Sequence, residues 1–472
     1  MTQLNNAAVK RTARPTEILQ FGSGNFLRGF VDWMVAQSNA RGLTNAGVAV
    51  SYATNRPNRH DALTEQDGLY HVVLEGVKDG SPIRLVELVD VIQAIIDPFQ
   101  DWNSLLSVIC SPDLKMIVSN TTEAGIIYAP MGHDEIPDSF PALLTKALFA
   151  RFCAGGSGLA IVPCELIENN GQTLKTIVLR HAVEAGLGED FSNWVTNKCH
   201  FYDTLVDRIV AGYPEDAEAI HKEIGFEDHA LVKGEYFSLW VIGGDDYLPT
   251  ILPLDRLNVG VHFVPPEAIP PFRTKKVRVL NASHTALAQV GLQMGFTTVR
   301  EAFEDKLTGD FVRAMVSEEV LPTIDEDLSE LTKFAASILE RFENPFLQHK
   351  LIDIELNSLA KWKARNLPII VDRWHAGNSA VRSVFSLSAL LVLYSGQADG
   401  NFSLSDDTGV IEFIRDSFDK DDLDGWVAAV ISKFNLGDGL TPQDHATLAA
   451  EVAAGVDLIL QLRMAGALRA LV

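Results

Sequence analysis

Three side chains with complementary chemistry lie close together in the second half of the chain: Lys276, Asn281 and His284. An ammonium, an amide and an imidazole can transfer a proton, stabilise an oxyanion and hold a hydroxyl group. On a helix that advances about 100° per residue, Asn281 lies about 140° and His284 about 80° from Lys276, so all three share one broad face. From the residues alone, an ordinary amphipathic helix with a hydrogen-bonded histidine stays the alternative.

Positive charge is concentrated at two places in a strongly acidic chain, which carries 39 Lys and Arg against 62 Asp and Glu. Four basic residues lie within residues 272–278. A second basic group, Lys361, Lys363 and Arg365, follows residues 351–360, which are predicted to be helical. Lys361 and Arg365 are one turn apart on one face and are predicted to bind a substrate carboxylate, with Lys361 as first choice. A solvated helix face is the alternative.

A glycine-rich turn near the N-terminus predicts a dinucleotide site. Residues 16–21 form an apolar run, Gly22-Ser23-Gly24 follows, and apolar residues then recur at helical spacing from Asn25. Glycines allow the backbone to approach a pyrophosphate, and the first N–H groups of the helix point towards it. The third glycine of the usual fingerprint would fall at Leu27, so a plain structural turn stays possible.

The choice between NAD and NADP depends on the end of the second predicted strand, residues 48–52. Residues 51–56 contain no acidic side chain that could hold a ribose 2′-hydroxyl, and Arg56 could meet a 2′-phosphate instead. A single arginine supports NADP only weakly, because a loop arginine can simply be exposed to solvent. We therefore expect NAD, with NADP possible.

Polar side chains also follow two later predicted strands, residues 115–119 and 159–163. Asn120 and Thr121 follow the first of these, and Glu165 and Asn169 follow the second. Ligands of open α/β sheets bind at the carboxyl ends of the strands, so we expect these residues to face a ligand. Helix capping is the alternative at both places.

The order of the elements predicts how these residues are positioned. Strands alternate with helices such as 141–152 and 172–185, which favours a doubly wound parallel sheet. From Lys275 onwards almost every segment is helix-like. We therefore predict an α/β chain with a Rossmann-like dinucleotide-binding domain over residues 1–271 and a mostly α-helical catalytic and substrate domain over residues 272–472.

Composition excludes several classes of function. A net charge of −23 argues against nucleic-acid binding, and no apolar run approaches the ~18 residues that cross a bilayer. The first fifteen residues lack a signal-peptide core, so we expect a cytoplasmic protein. No Cys, His or carboxylate group has metal-ligand spacing, and His133-Asp134-Glu135 is interpreted as surface. We therefore expect no metal and a small-molecule partner; the oligomeric state is left open.

Taken together, these segments resemble the long-chain mannitol dehydrogenase family over nearly the whole chain. The Lys-x4-Asn-x2-His spacing is specific to that family. The motifs that carry the resemblance are Gln20-Phe21-Gly22-Ser23-Gly24-Asn25-Phe26-Leu27-Arg28, Gln66-Asp67-Gly68-Leu69-Tyr70, Ser119-Asn120-Thr121-Thr122-Glu123-Ala124-Gly125, Asp207-Arg208-Ile209, Lys276-x4-Asn281-x2-His284 and Arg341-Phe342-x-Asn344-Pro345.

The resemblance implies roles for these residues. Lys276 would be the general acid and base, Asn281 would support the developing oxyanion, and His284 would contact the substrate. Contacts with a nicotinamide cofactor would come from Phe21, Gly22, Gly24, Asn25, Phe26, Arg28, Asn120 and Thr121.

The resemblance also implies a reaction, which is reversible hydride transfer between NAD(H) and a ketone or alcohol carbon. Cys164-Glu165-Leu166 stands where the mannitol and fructuronate branches carry Cys-Asp-Asn. This difference favours a tagaturonate and altronate pair, in hexuronate catabolism. Fructuronate and uncharged polyols such as mannitol stay as alternatives, and a dinucleotide sensor without turnover is a more distant one.

Overall fold

The computed structural model describes residues 1–55, 62–121, 125–130, 136–400 and 402–471. Arg56 and residues 122–124 and 133–135, about which the sequence makes predictions, lie outside these ranges. The chain divides into two compact units. The first comprises Met1–Glu75 and Ile83–Phe272, and the second comprises Gly76–Pro82 and Arg273–Val472. No helix in the described part of the chain has the length and apolar character needed to cross a membrane.

The strands are distributed over four sheets. Their bounds are β1 Thr2–Gln3, β2 Thr16–Phe21, β3 Gly47–Ser51, β4 Tyr70–Lys78, β5 Ser81–Val89, β6 Ile92–Ile96, β7 Met116–Ser119, β8 Ala160–Pro163, β9 His200–Phe201, β10 Asp203–Asp207, β11 Val210–Gly212, β12 Phe226–Glu227, β13 Val232–Glu235, β14 Leu239–Gly243 and β15 Val261–Val264.

The largest sheet has six strands in the order β6-β3-β2-β7-β8-β9, and all of its pairs are parallel. Counted along the chain, this order is 3-2-1-4-5-6, which is the doubly wound order of dinucleotide-binding domains. The order reverses between β2 and β7, where Phe21 pairs with Ser119. The predicted parallel sheet is confirmed, and its switch point lies at the glycine turn.

Both faces of this sheet are buried, which explains why its strands are apolar throughout. Ile18 and Val118 point into one apolar cluster, and Leu19 and Ile117 point into the other. The alternation follows from the two-residue period of a strand, because successive side chains leave on opposite faces. Helices therefore cover the sheet on both sides.

The remaining strands form smaller sheets that the sequence does not predict. Their orders are β10-β14-β15, β11-β13-β4-β5 and β1-β12. The helices of the first unit are α1 Asn25–Leu27, α2 Trp33–Ala40, α3 Ala62–Glu65, α4 Trp102–Ile109, α5 Phe140–Cys153, α6 Asn170–Glu184, α7 Glu189–Lys198, α8 Ala217–Ile224 and α9 Tyr247–Ile251. A π-helical segment, Arg28–Asp32, joins α1 to α2.

The second unit is helical, as predicted. Apart from the parts of β4 and β5 that it contains, its described residues form one isolated β-bridge, between Thr298 and Lys350. Its helices are α10 Ile269–Lys276 (which begins in the first unit), α11 Ser283–Gln293, α12 Val299–Glu304, α13 Lys306–Ala314, α14 Leu328–Phe342, α15 Leu351–Ile354, α16 Ser358–Arg365, α17 Leu367–His375, α18 Val381–Tyr394, α19 Thr408–Asp416, α20 Leu423–Phe434 and α21 Pro442–Ala470.

The continuous helix predicted over residues 351–360 is wrong. The chain leaves the helix after Ile354 and re-enters it at Ser358, with Asn357 in the left-handed conformation at φ +54°. Asparagine tolerates this conformation better than most residues, so the apolar periodicity does not reveal the break. Lys361 therefore lies in the first turn of α16 and does not extend the helix that begins at Leu351.

Candidate active site

The glycine turn after β2 has the geometry that a pyrophosphate needs. Gly22 has φ +113°, and a Cβ atom there would lie 2.9 Å from the carbonyl oxygen of Asn120. At Gly24, which caps the helix that begins at Asn25, no atom of the described residues other than its chain neighbours lies within 4 Å of the position a Cβ would take. Among the described residues, the turn is thus closed on the sheet side and open at Gly24. These residues fit a dinucleotide.

Arg28 braces this turn. Its guanidinium donates to the carbonyl oxygens of Ser23 at 3.2 Å and Ala230 at 2.5 Å, and to Oδ1 of Asn25 at 2.5 Å. These contacts occupy the guanidinium of Arg28 and Oδ1 of Asn25. Arg28 therefore stabilises the turn through hydrogen bonds within the protein, independently of any contact with a cofactor.

The two phenylalanines of the motif are packed against other rings. Phe21 is fully buried, 5.2 Å from the ring of Phe140. Phe26 stacks on Phe30 at 4.9 Å. The buried ring of Phe21 leaves its backbone as the part that can face a ligand, and its carbonyl oxygen accepts from the N–H of Asn120 at 3.2 Å.

Glu165 holds the end of β7. Its carboxylate accepts from the hydroxyl of Ser119 at 3.1 Å, and from the backbone N–H and hydroxyl of Thr121, both at 2.9 Å. Asn120 donates to the carbonyl oxygen of Cys164 at 2.8 Å. Burial raises the pKa of Glu165, and these hydrogen bonds oppose the rise. The structure brings these residues together beside Gly22, where Glu165 orders a loop.

The two neighbouring asparagines before α6 differ in their surroundings. Asn170 is buried, and its amide bonds the carbonyl oxygens of Pro163 and Glu165 and the hydroxyl of Thr204. Asn169 is exposed, with φ +49°, at the start of α6. Asn170 is therefore structural, while the side chain of Asn169 faces solvent.

Lys276, Asn281 and His284 lie on one helical path that changes its winding. Lys276 ends α10, a π-helical segment covers Val277–Ala282, and His284 is in the first turn of α11. A π-helix hydrogen-bonds residue i to i+5, and Lys276 and Asn281 are five residues apart, so it aligns them more closely than the α-helical estimate of about 140°. Local π segments of this kind are frequent at functional sites.

Side chains support the altered winding. The hydroxyl of Ser283 donates to the carbonyl oxygen of Val279, and that of Thr285 donates to the carbonyl oxygen of Asn281 at 2.9 Å. The amide of Asn366 reaches the carbonyl oxygen of Ala282 at 3.3 Å. Backbone oxygens that a π segment leaves poorly matched thus find partners.

His284 lies among aromatic and basic groups. Its ring stacks on Phe342 at 4.1 Å and meets the ring of His349 edge-on at 5.2 Å. Burial lowers the pKa of His284 well below its usual range, and His349, Arg341 and Arg365 lower it further. The imidazole is therefore neutral near pH 7, a form that can both donate and accept a hydrogen bond.

Arg365 reaches this group from α16. Its guanidinium donates to the hydroxyl of Thr285 at 3.0 Å, and no carboxylate in the described ranges lies within 4.0 Å of it. Lys361, one turn earlier, donates to the carbonyl oxygen of Ile354 at 2.9 Å. Burial, followed by Arg365, lowers the pKa of Lys361, and Glu355 opposes the change.

Part of the positive charge predicted around Lys276 is compensated. The ammonium of Lys275 lies 2.7 Å from Glu326, and the guanidinium of Arg278 lies 2.6 Å from Asp372. The basic segment therefore also forms ion pairs that fasten α10 and the π segment. The sequence does not single out His349 or Thr285, because neither belongs to a recognisable spacing.

Comparisons with known proteins agree with this geometry. Residues 16–255 match the mannitol dehydrogenase Rossmann domain, and residues 268–408 match the mannitol dehydrogenase C-terminal domain. The altronate oxidoreductase of Bacillus subtilis is 39% identical over 433 residues, covering 90% of this chain and 88% of its own. That of Halalkalibacterium halodurans is 38% identical over 411 residues, covering 85% and 80%.

Two solved structures share the fold. A substrate-free D-sorbitol dehydrogenase has a TM-score of 0.84 at 18% identity, covering 99% of this chain and 100% of its own. The Pseudomonas fluorescens mannitol 2-dehydrogenase, solved with NAD and D-mannitol, has a TM-score of 0.70 at 18% identity, covering 100% and 99%.

The doubly wound sheet, its glycine turn and the matched Rossmann domain define an NAD-dependent dehydrogenase. The chain belongs to the mannitol dehydrogenase family. The predicted family, enzyme class and cofactor are thereby confirmed.

Proposed function

We propose that this protein interconverts tagaturonate and altronate, with NAD(H) as the redox partner, as a cytoplasmic step of hexuronate catabolism. Relatives about 38% identical over most of the chain are named altronate oxidoreductases, which supports the substrate. The guanidinium of Arg365, which lies close enough to His284 to lower its pKa, supports an anionic substrate.

The proposed chemistry assigns each residue of the motif a step. NADH, when bound, supplies the hydride that reduces the ketone carbon. The ammonium of Lys276 donates a proton to the carbonyl oxygen, and its neutral amine removes the hydroxyl proton in the reverse direction. Asn281 donates to the developing oxyanion. The neutral His284 holds a substrate hydroxyl.

One observation carries the choice of a uronate: the guanidinium of Arg365 lies beside His284 and has no carboxylate partner in the described ranges. A partly buried charge without an anionic partner is costly, and a substrate carboxylate would compensate it. Lys361, the first choice from sequence, already bonds the carbonyl oxygen of Ile354 and faces Glu355. We therefore assign the carboxylate to Arg365, with Lys361 second.

The test compares Arg365→Met with Lys363→Met, a matched change on the same helix, where Lys363 lies 3.8 Å from Asp438. A charge-assisted hydrogen bond contributes about 1.5 to 3 kcal/mol, so Arg365→Met should lower kcat/KM for tagaturonate by about 10- to 100-fold. An uncharged ketohexose should lose far less, and Lys363→Met should change neither. Equal losses for both substrates would refute the carboxylate assignment, and a wild type that prefers the uncharged ketose would refute the proposed substrate.

A further inference from the structure

A carboxyl group with no role in the proposed chemistry is buried under the glycine turn. Asp32 is fully buried in the π segment Arg28–Asp32, at the start of α2. Its Oδ2 accepts from the amide of Gln20 at 3.4 Å and from the hydroxyl of Tyr70 at 3.2 Å. Its Oδ1 has no hydrogen-bond partner in the described part of the chain. A buried carboxyl with one unsatisfied oxygen requires an explanation.

The two partners of Asp32 connect it to the turn. The amide of Gln20 also donates to the carbonyl oxygen of Gly22 at 3.0 Å. The hydroxyl of Tyr70 lies 3.1 Å from the carbonyl oxygen of Arg28. Asp32 is thus one bridging side chain away from the backbone of Gly22 in the glycine turn and from the backbone of Arg28 in the helical segment after it. A change in the hydrogen bonds of Asp32 would therefore act on the backbone of Gly22 and Arg28.

Few charged groups of the described residues act on Asp32. Arg28 is the cation that acts on it, while Gln20 from β2 and Tyr70 from β4 are its polar neighbours. Arg208 reaches the same π segment at the carbonyl oxygen of Gly29, at 2.7 Å. Burial raises the pKa of Asp32 to about 7, although Gln20, Tyr70 and Arg28 all lower it. The carboxyl therefore changes its charge near neutral pH.

Resting on the proposed NAD-dependent function, we propose that Asp32 is a positioning residue of the dinucleotide turn, and that its charge sets the affinity of the turn for the anionic cofactor. Asp32 lies eight residues after Gly24, which is about 12 Å along a helix. A negative charge at that distance opposes a pyrophosphate at the helix N-terminus. At an effective dielectric of about 20 to 40, this repulsion weakens binding about three- to tenfold.

The experiment measures the dissociation constant of NADH directly between about pH 6 and pH 8.5. The Kd of the wild type should rise about three- to tenfold with pH. Asp32→Asn, which keeps the size but cannot ionise, should remove the rise. Glu355→Gln, which removes another buried carboxyl from the other unit, should leave the rise intact. Calorimetry in two buffers should show proton uptake on NADH binding in the wild type and none in Asp32→Asn.

A second variant covers the case in which Asp32→Asn does not fold. Tyr70→Phe removes a hydrogen bond that lowers the pKa of Asp32, so the rise in Kd should move to higher pH. The inference would be overturned by any of three results. These are a rise in Kd that persists in Asp32→Asn, a wild-type Kd that does not change with pH, and a Tyr70→Phe profile that does not move to higher pH. Failure of the wild type to bind NADH at any pH would instead overturn the proposed function, and this inference with it.

Discussion

Glu355 offers a direct test of how burial changes the pKa of a carboxyl group, and with it the stability of the folded protein, in the helical unit. Its side chain is fully buried in the turn between α15 and α16, and neither oxygen accepts a well-formed hydrogen bond in the described part of the chain. Burial raises the pKa of Glu355 from 4.5 to about 8, against the opposing effects of Ser358 and Lys361. The perturbation is Glu355→Gln, which keeps the shape and removes the titration.

The expected size follows from the two pKa values. The unfolded chain loses this proton above about pH 4.5, whereas the folded protein keeps it up to about pH 8. The folded state therefore binds more protons in that window, and its free energy of unfolding falls as the pH rises. At about 1.4 kcal/mol per pH unit, the cost grows by about 3 to 4 kcal/mol between about pH 5 and pH 8.

The assay is urea unfolding of the wild type and Glu355→Gln at a series of pH values. The variant should gain stability relative to the wild type as the pH rises, by about 3 to 4 kcal/mol over this range. Taking the difference between the two proteins cancels groups that titrate in both, including Asp32. Glu412→Gln, at an exposed position in α19 of the same unit, is the matched control. A difference between wild type and Glu355→Gln that is constant with pH would refute the reasoning.

Three further predictions concern the chemistry. Lys276→Ala should lower kcat by about 10² to 10⁴ while NADH still binds, because a positioned acid or base contributes that much; more than a tenth of the wild-type kcat would contradict the assignment. NADH should be preferred over NADPH in kcat/KM, and an opposite preference that Arg56→Ala abolishes would show that Arg56 reads a 2′-phosphate. Turnover should survive exhaustive chelation, since no described cluster of three His, Cys, Asp or Glu side chains can hold a metal; activity lost with EDTA and restored by zinc would reveal a missed site.

The sequence by itself determined the elements whose signals are local. The strand Thr16–Phe21, the glycine turn and the helix after it are specified by apolar periodicity and by glycines within about twenty residues. The helical character of the second half follows in the same way. The sequence also predicts that Lys276, Asn281 and His284 share one helical face, because their spacing is a property of one continuous segment.

Tertiary structure decided what depends on residues far apart in the chain. The π winding between Lys276 and Ser283 is supported by Asn366, and the helix break at Asn357 interrupts an apolar pattern that predicts continuity. We assign the substrate carboxylate to Arg365 and not to Lys361 because of the partners that the two side chains have in the folded protein. These partners depend on tertiary packing.

The clearest case is Asp32. In the sequence it is one polar residue within an apolar helix, and nothing near it predicts that it touches Gln20 or Tyr70. Folding removes it from water, and desolvation then changes its pKa. Periodicity reports which face of an element is buried. The free energy of a buried polar group is set by the partners it meets there, and these come from distant parts of the chain.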